Sequence, residues 1–345
     1  MKYAELFSYC DAFIIQNEAY LFYFSGYENA DAIIAASPGG AFYITDNRYT
    51  EEAKASIKNM EIVQSSPDSF FKSAKDLLGG AKKVGYEKSN ISYLQYLNLQ
   101  SLNCELIDIS AKIGSLRMIK SEEEAERVRR AQSITDEVFE KVLEYIRPGI
   151  GERKLAGKLE SLLFECGADS LAFPSIVAAG KNTSKPHAHR TDYILRKGDL
   201  VTLDFGAKLN GYCSDMTRTV SLGDPGERAK AVYKTVLHAQ TQAIADIKAG
   251  MSGKEADAIA RDIFAAQGYK DYFTHSLGHG LGIEVHEDPR LSYLNENPLK
   301  QNMIFSVEPG LYFENEFGIR IEDLVILGKD GVINLTKSAK NLIIL

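Results

Sequence analysis

Five residues in the C-terminal half of the chain have side chains suited to binding metal ions: Asp204, Asp215, His279, Glu308 and Glu322. They lie in the segments LDFGAKLNGYCSDMTRT, HSLGHGLGIEVHEDP, FSVEPG and GIRIED. Four carboxylates and one imidazole suit divalent ions of intermediate hardness, such as manganese, cobalt, iron or zinc. Two such ions about 3.5–4 Å apart can hold a hydroxide between them, a hydrolytic nucleophile at neutral pH. The set predicts a metallohydrolase.

Local patterning predicts how the first two acids meet. Leu200 to Phe205 is an apolar, β-prone run, and Tyr212 to Leu222 is a second one rich in Thr and Val. Asn210-Gly211 between them is a favoured two-residue hairpin turn. If Leu209 and Tyr212 flank that turn, Asp204 faces Thr217, and Asp215 lies two residues away on the same face. Diagonal neighbours of this kind are about 7–8 Å apart at the backbone, within reach of a shared ion. The alternative is a solvated acid pair, against which stands the apolar strand that Asp204 ends.

An internal repeat links the second pair of acids to the first. RPGIGERKLAGKLESLLFECG resembles KAGMSGKEADAIARDIFAAQG, with Gly149 matching Gly250 and Gly167 matching Gly268 at a separation of 101. An amphipathic helical stretch precedes each copy, roughly Ser121–Ile146 and Gly226–Ile247. Further on, VTLDFG aligns with FSVEPG, so Asp204 matches Glu308, and Asp215 then matches Glu322. A duplicated helix–helix–strand–strand unit with one acid pair per copy is expected.

The pattern DFG…SDMTRT, GHGLG…VHE, VEPG and RIED resembles the metallopeptidases of family M24, which share the "pita-bread" fold. These include methionine aminopeptidase, Xaa-Pro aminopeptidase and Xaa-Pro dipeptidase (prolidase). The resemblance implies that Asp204 binds one ion, that His279 and Glu308 bind the other, and that Asp215 and Glu322 bridge them. Manganese is the expected ion, with cobalt, zinc or iron as alternatives. It further implies that Glu308 shuttles the water's proton and that His286 steadies the scissile carbonyl. His187, in KPHAHR, resembles another substrate-contacting histidine. Arg290 resembles a prolidase arginine that reads the substrate carboxylate; a surface arginine after a turn proline is the alternative.

The remaining histidines and one arginine complete the candidate set. Five of the 6 His fall in these segments: His187, His189, His275, His279 and His286. His275 either lines a substrate pocket or is a hydrogen-bonded core histidine, and His189 receives no role. His238, in a helical stretch, reads as ordinary surface or core. Arg320, two residues before Glu322 on the same strand face, would neutralise the acid-rich centre.

Composition and the N-terminal third complete the expectation. A net charge of −7 with no basic stripe argues against a nucleic-acid partner. The 4 Cys show no metal or disulfide spacing, and no membrane span or signal peptide is evident, so a cytoplasmic protein is expected. Residues 1–115 alternate strand-like runs (AFII, YLFYF, DAIIAA, AFYIT) with helical ones (RYTEEAKASI, SFFKSAKDLL). This predicts an α/β domain. It resembles the creatinase/prolidase N-terminal domain, notably in ITDNRYTEEA, and the likeness implies a homodimer. Ser121 to Glu124 is a capping box that opens the next helix. Residues 116–345 are then the α+β pita-bread catalytic domain with its pseudo-two-fold repeat. The substrate implied is a small proline-containing peptide. An Xaa-Pro dipeptidase is favoured over an Xaa-Pro aminopeptidase. A metal-free creatinase-like hydrolase and a non-catalytic binding protein are disfavoured, because all five ligand positions are filled.

Overall fold

The computed structural model describes residues 3–28, 31–89 and 91–345, and the chain divides into two units after Arg117. The first unit runs β1 (Ala12–Ile15), α1 (Glu18–Ser25), β2 (Ala32–Ser37), β3 (Gly40–Thr45), α2 (Thr50–Ser56) and β4 (Glu61–Gln64). It continues with α3 (Phe70–Leu78), β5 (Lys83–Tyr86), α4 (Tyr93–Gln100), β6 (Glu105–Asp108) and α5 (Ser110–Met118). One mixed sheet has the order β4-β3-β2-β1-β5-β6, the α/β layer expected. Within it β1–β2 and β2–β3 are antiparallel and the other pairs parallel.

One expectation in this unit fails. YLFYF is not a strand but lies in α1, whose residues Ala19 to Phe24 are all buried. A helix buried all round has no polar stripe, so alternation cannot separate it from a core strand. The ends carry the missing signal. The Asn17 side chain accepts from Tyr20 N, and Gly26, at φ +76°, closes the helix in the left-handed region.

The second unit repeats itself. Its first half is α6 (Glu122–Leu143), α7 (Glu152–Glu165), β7 (Ser170–Leu171), β8 (Ile176–Ala179), β9 (Asp199–Phe205), β10 (Ala207–Leu209), β11 (Tyr212–Cys213) and β12 (Met216–Leu222). The second half begins with α8 (Glu227–Asp246), α9 (Gly253–Ala266), β13 (Gly278–Gly280), β14 (Glu287–Leu291) and β15 (Ile304–Val307). It ends with β16 (Gly310–Phe313), β17 (Phe317–Arg320), β18 (Asp323–Leu327) and β19 (Val332–Asn334). Each half packs its helix pair on its own strands. Val138, Leu155 and Leu159 meet Leu203 and Val220 in one core, while Val236, Ala256 and Phe264 meet Phe305 and Val325 in the other. The matched glycines share a conformation: Gly149 and Gly250 lie at φ +90° and +94°, Gly167 and Gly268 at +99° and +77°.

The hairpin has the expected register. Leu209 pairs with Tyr212 and Asp204 with Thr217. Asn210 and Gly211 both have positive φ, 48° and 78°, as a primed turn demands. The ladder is interrupted at Gly206 and at Ser214-Asp215, which frees Asp215 from strand pairing. The second half differs from the first in one respect. There Val307 pairs with Asp323, so the next step outward sets Glu308 opposite Glu322. By strand register, Glu322 therefore corresponds to Thr217, and Asp215 sits two residues earlier.

Candidate metal centre

Each acid stands where a strand stops or starts. Asp204 is next to last in β9, Glu308 follows β15, Glu322 precedes β18, and Asp215 lies in the gap before β12. His279 is the middle residue of β13, between glycines that allow close backbone approach. A Cβ on Gly278 would lie 2.0 Å from Ser306 O, and one on Gly280 would lie 2.2 Å from Asp288 O. Crowding at the centre thus fixes the GHG sequence.

These side chains converge on one cavity of about 250 Å³. Asp215, His279 and Glu322 each present a ligand atom within 4.8 Å of the others. His279 Nε2 lies 3.6 Å from Asp215 Oδ2 and 3.4 Å from Glu308 Oε1. Its Nδ1 donates to Gly280 O at 3.2 Å, which leaves the Nε2 lone pair facing the acids. Burial, then the nearby His286, holds the His279 pKa down to about 3, so the ring is neutral and able to ligate.

The acids are short of positive charge. Burial pushes the Asp215 carboxyl well up, helped by Glu322, Asp204 and Glu308. Burial likewise raises Glu322, with Glu308 and Asp204 adding to it. Glu308 is raised to about 7, mainly by burial. Arg320 is the nearest compensation: its Nη2 donates to Asp204 Oδ2 at 2.5 Å and its Nε to Thr217 Oγ1 at 2.9 Å. One guanidinium cannot serve four carboxylates. Asp215 Oδ1 and Glu322 Oε1 are buried with no hydrogen-bond partner among the described residues. Buried carboxylate oxygens without donors are costly unless a cation meets them, and this donor set fits divalent metal ions.

The other candidates surround this centre. His187, His275, His286, Arg290 and Arg320 all line the cavity. His275 is both a cavity residue and a bonded one, with Nε2 2.9 Å from Tyr312 Oη and Nδ1 2.8 Å from Ser276 O. Burial depresses its pKa to about 3. The His286 ring lies 4.3 Å from that of His279. His189 does not line the cavity; its carbonyl accepts from Asn182 Nδ2 at 3.0 Å.

Sequence reasoning missed three residues here. Tyr312 Oη accepts from Arg320 Nη1 at 2.7 Å and so joins His275 to the arginine. Ser306 Oγ donates to Glu308 Oε1 at 3.1 Å while accepting from His279 N at 3.1 Å. Thr217 Oγ1 donates to Glu322 Oε2 at 2.7 Å. Only Thr217 had a signal, since the hairpin register already set it opposite Asp204.

A duplicated fold that gathers four carboxylates and a neutral imidazole in a buried cleft defines a metal-dependent hydrolase. Comparison with known proteins fixes the class. Residues 126–329 match the model of metallopeptidase family M24, and residues 8–119 match the creatinase/prolidase N-terminal domain. The chain belongs to metallopeptidase family M24. It is 36% identical over 339 residues to the Xaa-Pro dipeptidase of Pyrococcus horikoshii, covering 96% of this chain and 94% of the relative. It superposes on a Bacillus anthracis Xaa-Pro dipeptidase with a TM-score of 0.95 at 38% identity, covering 100% of this chain and 99% of the other. An X-Pro aminopeptidase from Thermotoga maritima gives 0.91 at 36% identity, with 97% and 98% covered. Among the described residues no helix is long and apolar enough to cross a membrane.

Proposed function

We infer that the protein hydrolyses the bond before proline in dipeptides or short peptides, with a preference for dipeptides. The observation that carries this is the cavity itself. Its metal-ligating floor shares about 250 Å³ with Arg290, a cation able to hold a substrate carboxylate. The aminopeptidase reading is favoured by the T. maritima likeness, which is nearly as complete as the dipeptidase one.

Asp204 would hold one ion, His279 and Glu308 the other, and Asp215 and Glu322 both. Manganese fits the oxygen-rich donor set. Bound divalent ions supply Lewis acidity and lower the pKa of coordinated water. The protein's own groups do the rest. The Glu308 carboxylate, at the edge of the metal centre, would take the attacking water's proton and pass it to the departing nitrogen. That nitrogen carries no hydrogen in a bond before proline, so this delivered proton is what lets it leave. A neutral His286 donates an N–H to the carbonyl oxygen as charge builds there. His187 and His275 border the substrate, and Arg320 keeps Asp204 in place. The same reading takes the protein to be a cytoplasmic homodimer, and light scattering on the purified protein tests the dimer.

The decisive assay compares Ala-Pro with Ala-Pro-Ala, with and without manganese. Manganese-dependent cleavage of Ala-Pro is expected, with the tripeptide cleaved more slowly. An inert dipeptide beside a rapidly cleaved tripeptide would establish the aminopeptidase instead.

A further inference from the structure

The chain between β8 and β9 delivers His187 to the cavity, and its regular structure is limited to a 3-10 turn, Gly180–Ser184. Something else must hold it. Glu152, the first residue of α7, is fully buried and is not among the cavity residues. Its carboxylate accepts from Ala179 N at 2.7 Å where the loop begins. It accepts from Thr191 N at 2.7 Å and Thr191 Oγ1 at 2.6 Å where the loop returns. Both oxygens also accept from Asn182 Nδ2 at 3.1 Å, and that amide in turn donates to His189 O at 3.0 Å. Four donor groups saturate the roughly four lone-pair sites of a carboxylate. One buried side chain therefore closes the loop at both ends and braces its middle.

The second half of the repeat uses the same arrangement. Asp257 of α9 is fully buried, and its Oδ1 accepts from Leu277 N at 2.9 Å. It pairs with Arg261, whose guanidinium donates to Phe273 O at 3.2 Å and His275 O at 2.6 Å. Each half thus anchors a segment bearing a cavity histidine through a buried carboxylate on its second helix. The anchors are not at matching positions, since the separation of 101 takes Glu152 to Gly253. The arrangement recurs, and the residue does not.

We propose that Glu152 is a positioning residue for the reaction, setting His187 against the substrate by locking the Ala179–Thr191 loop. The substrate side of this rests on the peptidase reading above; the lock is local and separately measurable. In Glu152→Gln an amide NH2 replaces an acceptor where donors already point. Hydrogen exchange of the 180–191 amides should accelerate, and kcat/KM on Ala-Pro should fall about 10- to 100-fold. Metal content should be unchanged. In a His187→Ala background the same substitution should cost less than about 2-fold, because the group it positions is gone. Equal losses in both backgrounds would mean general structural damage and overturn the proposal, as would unchanged exchange. If Glu152→Gln does not fold, Thr191→Val removes one bond of the same lock and is put through the same cycle. A wild type inactive on Ala-Pro would overturn the substrate assignment, and the exchange measurement would still decide the lock.

Discussion

Thr217 and Glu322 are bonded to each other twice: Thr217 Oγ1 donates to Glu322 Oε2 at 2.7 Å, and Glu322 N donates to Thr217 O at 3.1 Å. They occupy corresponding register positions in the two halves of the repeat, so this double bond is where the halves are sewn together at the centre. Thr217 Oγ1 also accepts from Arg320 Nε at 2.9 Å. A single hydroxyl thereby orients both a carboxylate of the candidate metal centre and the arginine that holds Asp204.

Thr217→Val keeps the shape of that side chain and removes the hydroxyl. Loss of such an outer partner typically costs about 10- to 100-fold in metal affinity or activity. Calorimetric titration of the metal-free variant with manganese should show that weakening, beside a fall in melting temperature of a few degrees because the buried Arg320 Nε loses its acceptor. An unchanged affinity would remove Thr217 from the machinery.

Asp215 is buried among like charges, and its Oδ1 has no hydrogen-bond partner among the described residues. Its charge is thus a cost to the metal-free fold. Asp215→Asn should raise the melting temperature of chelator-treated protein by about 2–4 °C, taking a gain near 1 kcal/mol. The same change should abolish activity and the stabilisation expected when manganese is added to the wild type. Calorimetry with and without manganese checks both signs. A lower melting temperature for the metal-free variant would mean that Asp215 is a structural acid first.

Lys120 and Glu287, the residue that follows His286 in the chain, form a nearly dry ion pair at 3.2 Å. Breaking one partner of a buried pair costs about 3–5 kcal/mol, and because Glu287 keeps the Glu284 N–H at 3.0 Å the lower end of that range is expected. Urea unfolding should show that loss for Lys120→Met. Adding Glu287→Gln should recover most of it. Additive losses in the double variant would argue that each residue is held by other contacts.

The site was more legible than the fold that carries it, for physical reasons. The candidate metal ligands are chemically unusual, and the Asn210-Gly211 turn and paired glycines carry local backbone requirements that survive in one sequence. Those features gave the register of Asp204 against Thr217 and the outline of the repeat. Tyr312 was invisible because only tertiary packing brings its hydroxyl between His275 and Arg320. Glu152 was invisible for the same reason, since its partners lie 27 to 39 residues away. The Tyr20–Phe24 run was misread because a fully buried helix and a core strand present the same apolar string.

Glu87 offers a test far from the metal centre. It is buried in the first unit, where its Oε1 accepts from Gln16 N and Asn17 N, both at 2.5 Å. Its Oε2 has no hydrogen-bond partner among the described residues. Burial pushes its pKa up from 4.5 to about 7, against the pull of those backbone donors. The folded state therefore holds a proton that the unfolded chain releases. Below pH 4.5 both states are protonated and the contribution is whole. As pH climbs toward 7 only the unfolded chain ionises, and stability drains away, by on the order of 3 kcal/mol. Above that the curve is flat. Glu87→Gln cannot ionise, so the gap between variant and wild type should widen in the variant's favour from pH 4.5 to 8. The chain has no Trp, so the readout is urea-dependent hydrogen exchange of the β1 and β5 amides. A gap that stays constant across that range would show that Glu87 is ionised in the folded protein and that its backbone donors outweigh its burial.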